Sequence, residues 1–154
     1  MTERFTIQLP SIESAIALAG YQEDNLKTLS KQTGAQVVLR GQDVMLSGTA
    51  KQVELCRTLI ESLKEFWKDG KTITGPDILT ARHAINTHQE EKLQELQQDI
   101  LAKTRRGQEV RAKTFRQRQY IQAIRTHDLI FCIGPAGTGK TYLAAILALQ
   151  ALLA

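Results

Sequence analysis

The sequence predicts a mixed α/β chain: a small α+β domain first, then helices, then the opening of a second α/β core. Three observations carry this prediction. Arg4-Phe5-Thr6-Ile7-Gln8-Leu9 alternates apolar and polar residues, as a half-buried strand does. Gln36 to Leu39 and Val44 to Ser47 are two further short strand-like runs, set between helical stretches. Near the far end, Gly134-Pro135-Ala136-Gly137-Thr138-Gly139-Lys140-Thr141 fits the phosphate-loop pattern G-x-x-x-x-G-K-[ST] at every fixed position.

Taken in order, the first strand is closed by Pro10, and Ser11 can cap a helix running to Ala19. Its apolar positions are Ile12, Ala15, Ile16 and Ala19, and Gly20 breaks it. A second helix over about Glu23 to Gln32 places Leu26 and Leu29 on one face, with Gly34 as its C-terminal stop. The two strands that follow are joined by Arg40-Gly41-Gln42-Asp43, a plausible hairpin turn. Ala50 to Trp67 reads as one long amphipathic helix with Val53, Cys56, Leu59, Ile60, Leu63 and Phe66 inward. The order strand–helix–helix–strand–strand–helix defines a first domain over residues 1–67.

Residues 68–103 read as a linker and helical segment. Lys68 to Gly75 is rich in turn formers, and Pro76 suits the first position of a helix over Asp77 to Asn86. Gln89 to Leu101 is a more polar helix with Leu93, Leu96, Ile100 and Leu101 as its apolar residues. Residues 104–154 then open the second core. Thr104-Arg105-Arg106-Gly107 turns into a short edge strand at Gln108 to Arg111. Phe115 to Arg125 is a helix with Tyr120, Ile121 and Ile124 on its apolar face. Leu129-Ile130-Phe131-Cys132-Ile133 is a buried-type strand, and the Leu-rich stretch from Tyr142 to Leu153 is a helix.

Composition excludes several classes. An apolar content of 42% with 23% charged residues is ordinary for a globular protein, and the charged N-terminus does not read as a secretory signal. Cys56 and Cys132 belong to no C-x-x-C pair and read as buried apolar residues of a reducing compartment, so a cytoplasmic location is expected. His83, His88 and His127 lack metal-ligand spacing. The net charge of +4 is uneven. Between Lys103 and His127 stand Lys103, Arg105, Arg106, Arg111, Lys113, Arg116, Arg118 and Arg125, opposed by Glu109 alone. That basic segment is either a solvated face or a surface for phosphates, of nucleotide or RNA.

The phosphate-loop residues have defined chemical roles. Glycines let backbone N–H groups turn inward around a phosphate, and the N-terminus of the following helix adds partial positive charge. Lys140 reaches the β- and γ-phosphates, and the Thr141 hydroxyl ligates Mg²⁺, so ATP and Mg²⁺ are the expected ligands. Gln117 stands 17 residues before Gly134, one turn from Tyr120. Its amide could pair with the N6 and N7 edge of adenine, or it could be an exposed polar residue on a helix. Fourteen residues follow Lys140, too few for a Walker-B acid strand and a water-positioning residue. The chain is therefore expected to be the front part of a longer ATPase, with hydrolysis in doubt.

The first domain resembles a K-homology (KH) RNA-binding domain in its order of elements. KH domains clamp nucleotides with a G-x-x-G loop between the first two helices. Here that loop reads Gly20-Tyr21-Gln22-Glu23-Asp24, with one glycine and two acids, so clamping of RNA there is not expected. From Thr104-Arg105-Arg106-Gly107 through Val110-Arg111-Ala112-Lys113-Thr114, Gln117, Tyr120 and Asp128-Leu129-Ile130-Phe131 to the phosphate loop and Tyr142-Leu143-Ala144, the chain resembles the PhoH-like family of bacterial ATPases. Gly20, Asn25, Leu26 and Lys27 resemble that family's N-terminal region, while Phe115 stands where the family often has proline.

The resemblance implies a cytosolic ATP-binding protein with a RecA-like core akin to helicases, not a membrane protein. It also implies a link to RNA metabolism, an rRNA-processing endoribonuclease as partner, and a phosphate-starvation connection in some members. By position it assigns Gly134 to Thr141 to phosphates and Mg²⁺, and Gln117 to adenine. A non-catalytic module that holds RNA or a protein through the KH-like domain and the 103–127 segment is the alternative.

Overall fold

A computed structural model describes all 154 residues, which form two compact units, Met1–Glu90 and Glu91–Ala154. In the first unit, β1 (Glu3–Gln8), β2 (Gln36–Arg40) and β3 (Asp43–Gly48) make one antiparallel sheet in the order β1-β3-β2. Phe5 faces Leu46 across one pair of strands, and Leu39 faces Val44 across the other. Helices α1 (Ile12–Ala19), α2 (Asp24–Thr33) and α3 (Ala50–Ser62) complete the β-α-α-β-β-α order, so the unit is KH-like. Leu9, Leu18, Leu29, Val44, Leu46, Cys56, Leu59 and Ile60 are buried together as its core.

Local sequence sets these boundaries. Ser11 caps α1 by accepting from the Ser14 N–H, and Thr49 and Gln52 form a reciprocal capping box at α3. Gly20 has φ +72°, and a Cβ there would lie 2.6 Å from Asn25 Nδ2. That amide donates to the Ile73 carbonyl at 2.8 Å, in a buried bond that needs the glycine's close approach. Arg57 stands 4.8 Å over the Phe5 ring and partly covers it.

Three sequence expectations for this unit change. The helix expected over Ala50 to Trp67 breaks at Leu63, giving α3 and a single turn, α4 (Lys64–Trp67). The break turns Trp67 inward, where its indole N–H donates to the Ile60 carbonyl at 2.9 Å. In α1, Ala15 and Ala19 are buried as expected, but Ile12 and Ile16 are 49% and 65% exposed. Ser14, Ala17 and Leu18 share the packed face instead, because small residues let α1 lie close to α2 and α4. Finally, α5 (Gly75–Asn86) packs on α2 and α3, with Ile78, Ala81 and Ala84 buried, so the unit runs beyond residue 67.

In the second unit, α6 (Glu90–Gln98) ends before Leu101, which joins a hairpin instead. The hairpin is β4 (Ala102–Lys103) and β5 (Glu109–Val110), closed over the predicted Thr104–Gly107 turn. Then come α7 (Phe115–Thr126) and α8 (Lys140–Leu153). Leu96, Leu101, Ala112, Ile121, Leu143, Ile146 and Leu147 form the core. Two structural corrections fall here. Residues 129–133 form no strand, and Leu129, Phe131 and Ile133 are exposed. A strand is held by ladder hydrogen bonds, and no other strand lies beside this segment to supply them. Cys132 is consequently exposed, while Cys56 is buried as expected.

Candidate functional site

The phosphate loop spans the gap between α7 and α8, with α8 beginning at Lys140 itself. Gly137 and Gly139 have φ of +78° and +84°, which fold the backbone back on itself before the helix. The Lys140 ammonium lies inside that bend. It donates to the carbonyls of Gly134 at 2.7 Å and Pro135 at 2.6 Å, and lies 3.4 Å from the Thr138 hydroxyl. The Thr138 hydroxyl donates to the Pro135 carbonyl at 3.0 Å, closing the bend. Thr141 stands exposed in the first turn of α8. Ala136, like Pro135 before it, is exposed at the tip of the loop.

Helix α7 holds the loop at two points. Gln117 Nε2 donates to the Thr138 carbonyl at 3.1 Å, and the Tyr120 hydroxyl donates to the Lys140 carbonyl at 3.2 Å. Partial burial first, and then the neighbouring Cys132 thiol, raise the Tyr120 phenol above its ordinary pKa. Gln117 is tied at its other end too. Its Oε1 accepts from the Lys113 backbone N–H at 2.7 Å, while its own N–H donates to the Thr114 hydroxyl at 3.1 Å. Thr114-x-x-Gln117 is thus a variant of the capping box, a signal readable in the sequence but not used there.

A cavity of about 270 Å³ opens beside the loop. Thr104, Gln108 and Lys113 line one side, and Gln117, Gly139 and Tyr142 another. It belongs to the second unit alone, so hairpin, α7 and loop converge on one concave surface.

The basic segment divides in two. Arg111 is buried, donating to the Gln97 carbonyl at 3.1 Å with Glu109 at 3.7 Å. Arg118 and Arg125 bind Glu95 and Asp99 on α6 and its C-terminal end, at 3.0 to 3.7 Å. These cations serve the fold. Lys103, Arg105, Arg106 and Arg116 remain exposed, and three of them crown the hairpin. No cluster of three or more His, Cys, Asp or Glu side chains suited to a metal occurs. No helix is long and apolar enough to cross a membrane.

Comparison with known proteins places the sequence in a family. The family model described as PhoH-like protein matches residues 109–154, the segment from the hairpin through the loop to α8. A PhoH-like protein of Synechocystis sp. is 60% identical over 148 residues, covering 96% of this chain and 45% of its own length. The chain belongs to the PhoH-like family. PhoH-like proteins of Bacillus subtilis and Mycobacterium tuberculosis H37Rv are 32% and 36% identical, over 94% and 97% of this chain. The chain spans about half the length of these relatives, 46% and 42% respectively. Among solved structures, Dim2p from Pyrococcus horikoshii OT3 aligns at a TM-score of 0.43 and 19% identity. That alignment covers 53% of this chain and 48% of the other, a likeness too slight to carry an argument.

Proposed function

We propose that the second unit binds the polyphosphate of ATP with Mg²⁺ at residues Gly134 to Thr141, and that the whole protein is an ATPase linked to RNA metabolism. The observation carrying this reading is the Lys140 ammonium held inside a glycine-turned bend at the start of α8. There it exchanges loop carbonyls for phosphate oxygens, while the helix N-terminus adds its partial positive charge. The exposed Thr141 hydroxyl is the protein ligand for Mg²⁺, which neutralises phosphate charge when bound. The adjacent cavity has room for the base, with Gln117 at its wall.

Binding is assigned to this chain. Turnover is part of the proposal for the whole protein, since in-line attack also needs a second acidic group for the metal and a residue that orients water. A cytoplasmic setting accords with the free thiols. Calorimetric titration with ATP and Mg²⁺ tests the reading. Saturable one-to-one binding, lost in Lys140→Ala, supports it; equal heats for the two chains sink it.

A second reading, contact with RNA, is favoured by the hairpin. Lys103, Arg105 and Arg106 project from it without an ion pair, whereas Arg111, Arg118 and Arg125 are committed to carboxylates. Neutralising the three hairpin cations should weaken RNA binding and flatten its salt dependence by about one counterion for each cation that had met a phosphate. An unchanged salt slope would remove the hairpin from that role.

A further inference from the structure

From the bonding of its amide, we infer that Gln117 is a positioning residue: it fixes the phosphate loop in place rather than choosing the base. The inference rests on the nucleotide-binding reading above. Both polar atoms of the side chain already have backbone partners. A backbone N–H can only donate and a carbonyl can only accept, so Lys113 and Thr138 together dictate which end of the amide is oxygen. The bridge joins the residue before the α7 cap to the residue before Gly139, where the chain turns left-handed into α8. A Cβ on Gly139 would come within 3.4 Å of Gln117 Nε2, so the bridge passes close against the loop backbone.

Tyr120 supplies the companion bond one turn along α7, to the first residue of α8. The two bonds therefore brace Thr138 and Lys140 on either side of Gly139. That is the segment whose N–H groups must face a phosphate for the loop to work. Its precision depends on a neighbour that does not itself touch the phosphates, as binding sites generally require of their supporting residues. Base discrimination would then fall to other groups around the cavity.

Two probes separate positioning from base reading. Inorganic tripolyphosphate carries the phosphates without a base. With Gln117→Ala, affinity for ATP and for tripolyphosphate should fall by the same factor, about tenfold for the two hydrogen bonds removed, with the ATP to GTP ratio unchanged. A loss confined to ATP, with tripolyphosphate binding intact, overturns the inference and makes Gln117 a base reader.

A ligand-free arm distinguishes this failure from failure of the nucleotide reading. Gln117→Glu keeps the oxygen that accepts from Lys113, and glutamate is as good a capping partner, but it cannot donate to Thr138. Amide hydrogen exchange without nucleotide should quicken at residues 137–141 in both variants, while the first turn of α7 loses protection only in Gln117→Ala. Unchanged exchange across the loop in Gln117→Glu rejects the brace, whether or not ATP binds.

Discussion

The proposed phosphate binding turns on a single ammonium group, that of Lys140, and its surroundings explain why substitutions there should be specific. Its partners are backbone carbonyls of its own loop, so truncation removes a ligand without opening a core. Lys140→Ala should therefore abolish binding of Mg²⁺-ATP and leave thermal unfolding within about 0.5 kcal/mol of the parent, as expected for an exposed site. Calorimetric titration beside a thermal melt checks both halves. The cysteines make a contrasting pair. Burial pushes the Cys56 thiol up from its ordinary value, with a hydrogen bond from Thr33 opposing less strongly, so the reactive thiolate is scarce there. Cys132 is exposed. Iodoacetamide at neutral pH should label Cys132 in the folded chain and reach Cys56 only after unfolding, as counted by mass spectrometry.

At the scale of elements, α7 and α8 depend on each other. Ile121 is fully buried between the leucines of α8 and Leu96 of α6. Ile121→Ala should cost about 2–5 kcal/mol, the usual range for a buried aliphatic truncated to alanine, and dismantle the second unit. Far-UV circular dichroism against urea reads this directly. Gly139 is the hinge between loop and α8, with its φ of +84°. Gly139→Ala should cost about 1–2 kcal/mol of backbone strain and weaken nucleotide binding besides, because relief of that strain at positive φ shifts the turn that carries Lys140. An unaltered affinity in that variant would show that the loop tolerates displacement.

For the whole molecule, two units with separate cores predict two unfolding events. Trp67, the one tryptophan, is buried in the first unit against the Ile60 carbonyl. Its fluorescence should report that unit alone, with a midpoint unmoved by Ile121→Ala. A shifted tryptophan midpoint would mean the units unfold together. The second unit also exposes Leu129, Phe131 and Ile133 on the segment that leads into the phosphate loop, with Phe131 84% exposed. Contiguous apolar surface of this kind promotes association. The chain should self-associate at high concentration in sedimentation velocity, and Phe131→Ser should reduce that association.

What the sequence determined by itself was whatever short-range chemistry specifies. The phosphate-loop pattern, the Ser11 and Thr49 caps, the Gly34 stop and the Thr104–Gly107 turn each depend on neighbours within a few residues. The KH-like order of elements followed from hydrophobic period together with such caps, stops and turns. Tertiary structure decided the rest. The inward face of α1 could not be read from spacing, because Ile12 and Ile16 obey the helical period as well as Ala15 and Leu18 do. Close packing on α2 and α4 favours the smaller residues. The strand expected at residues 129–133 failed for the converse reason: its sequence is apolar and β-prone, yet a strand exists only through hydrogen bonds to another strand. The division of the basic residues into fold-holding and free cations, like the double engagement of Gln117, depends on partners up to 26 residues away. Local pattern chooses which elements form, but their partners are brought by the folded chain, and the partners decide what each side chain can do.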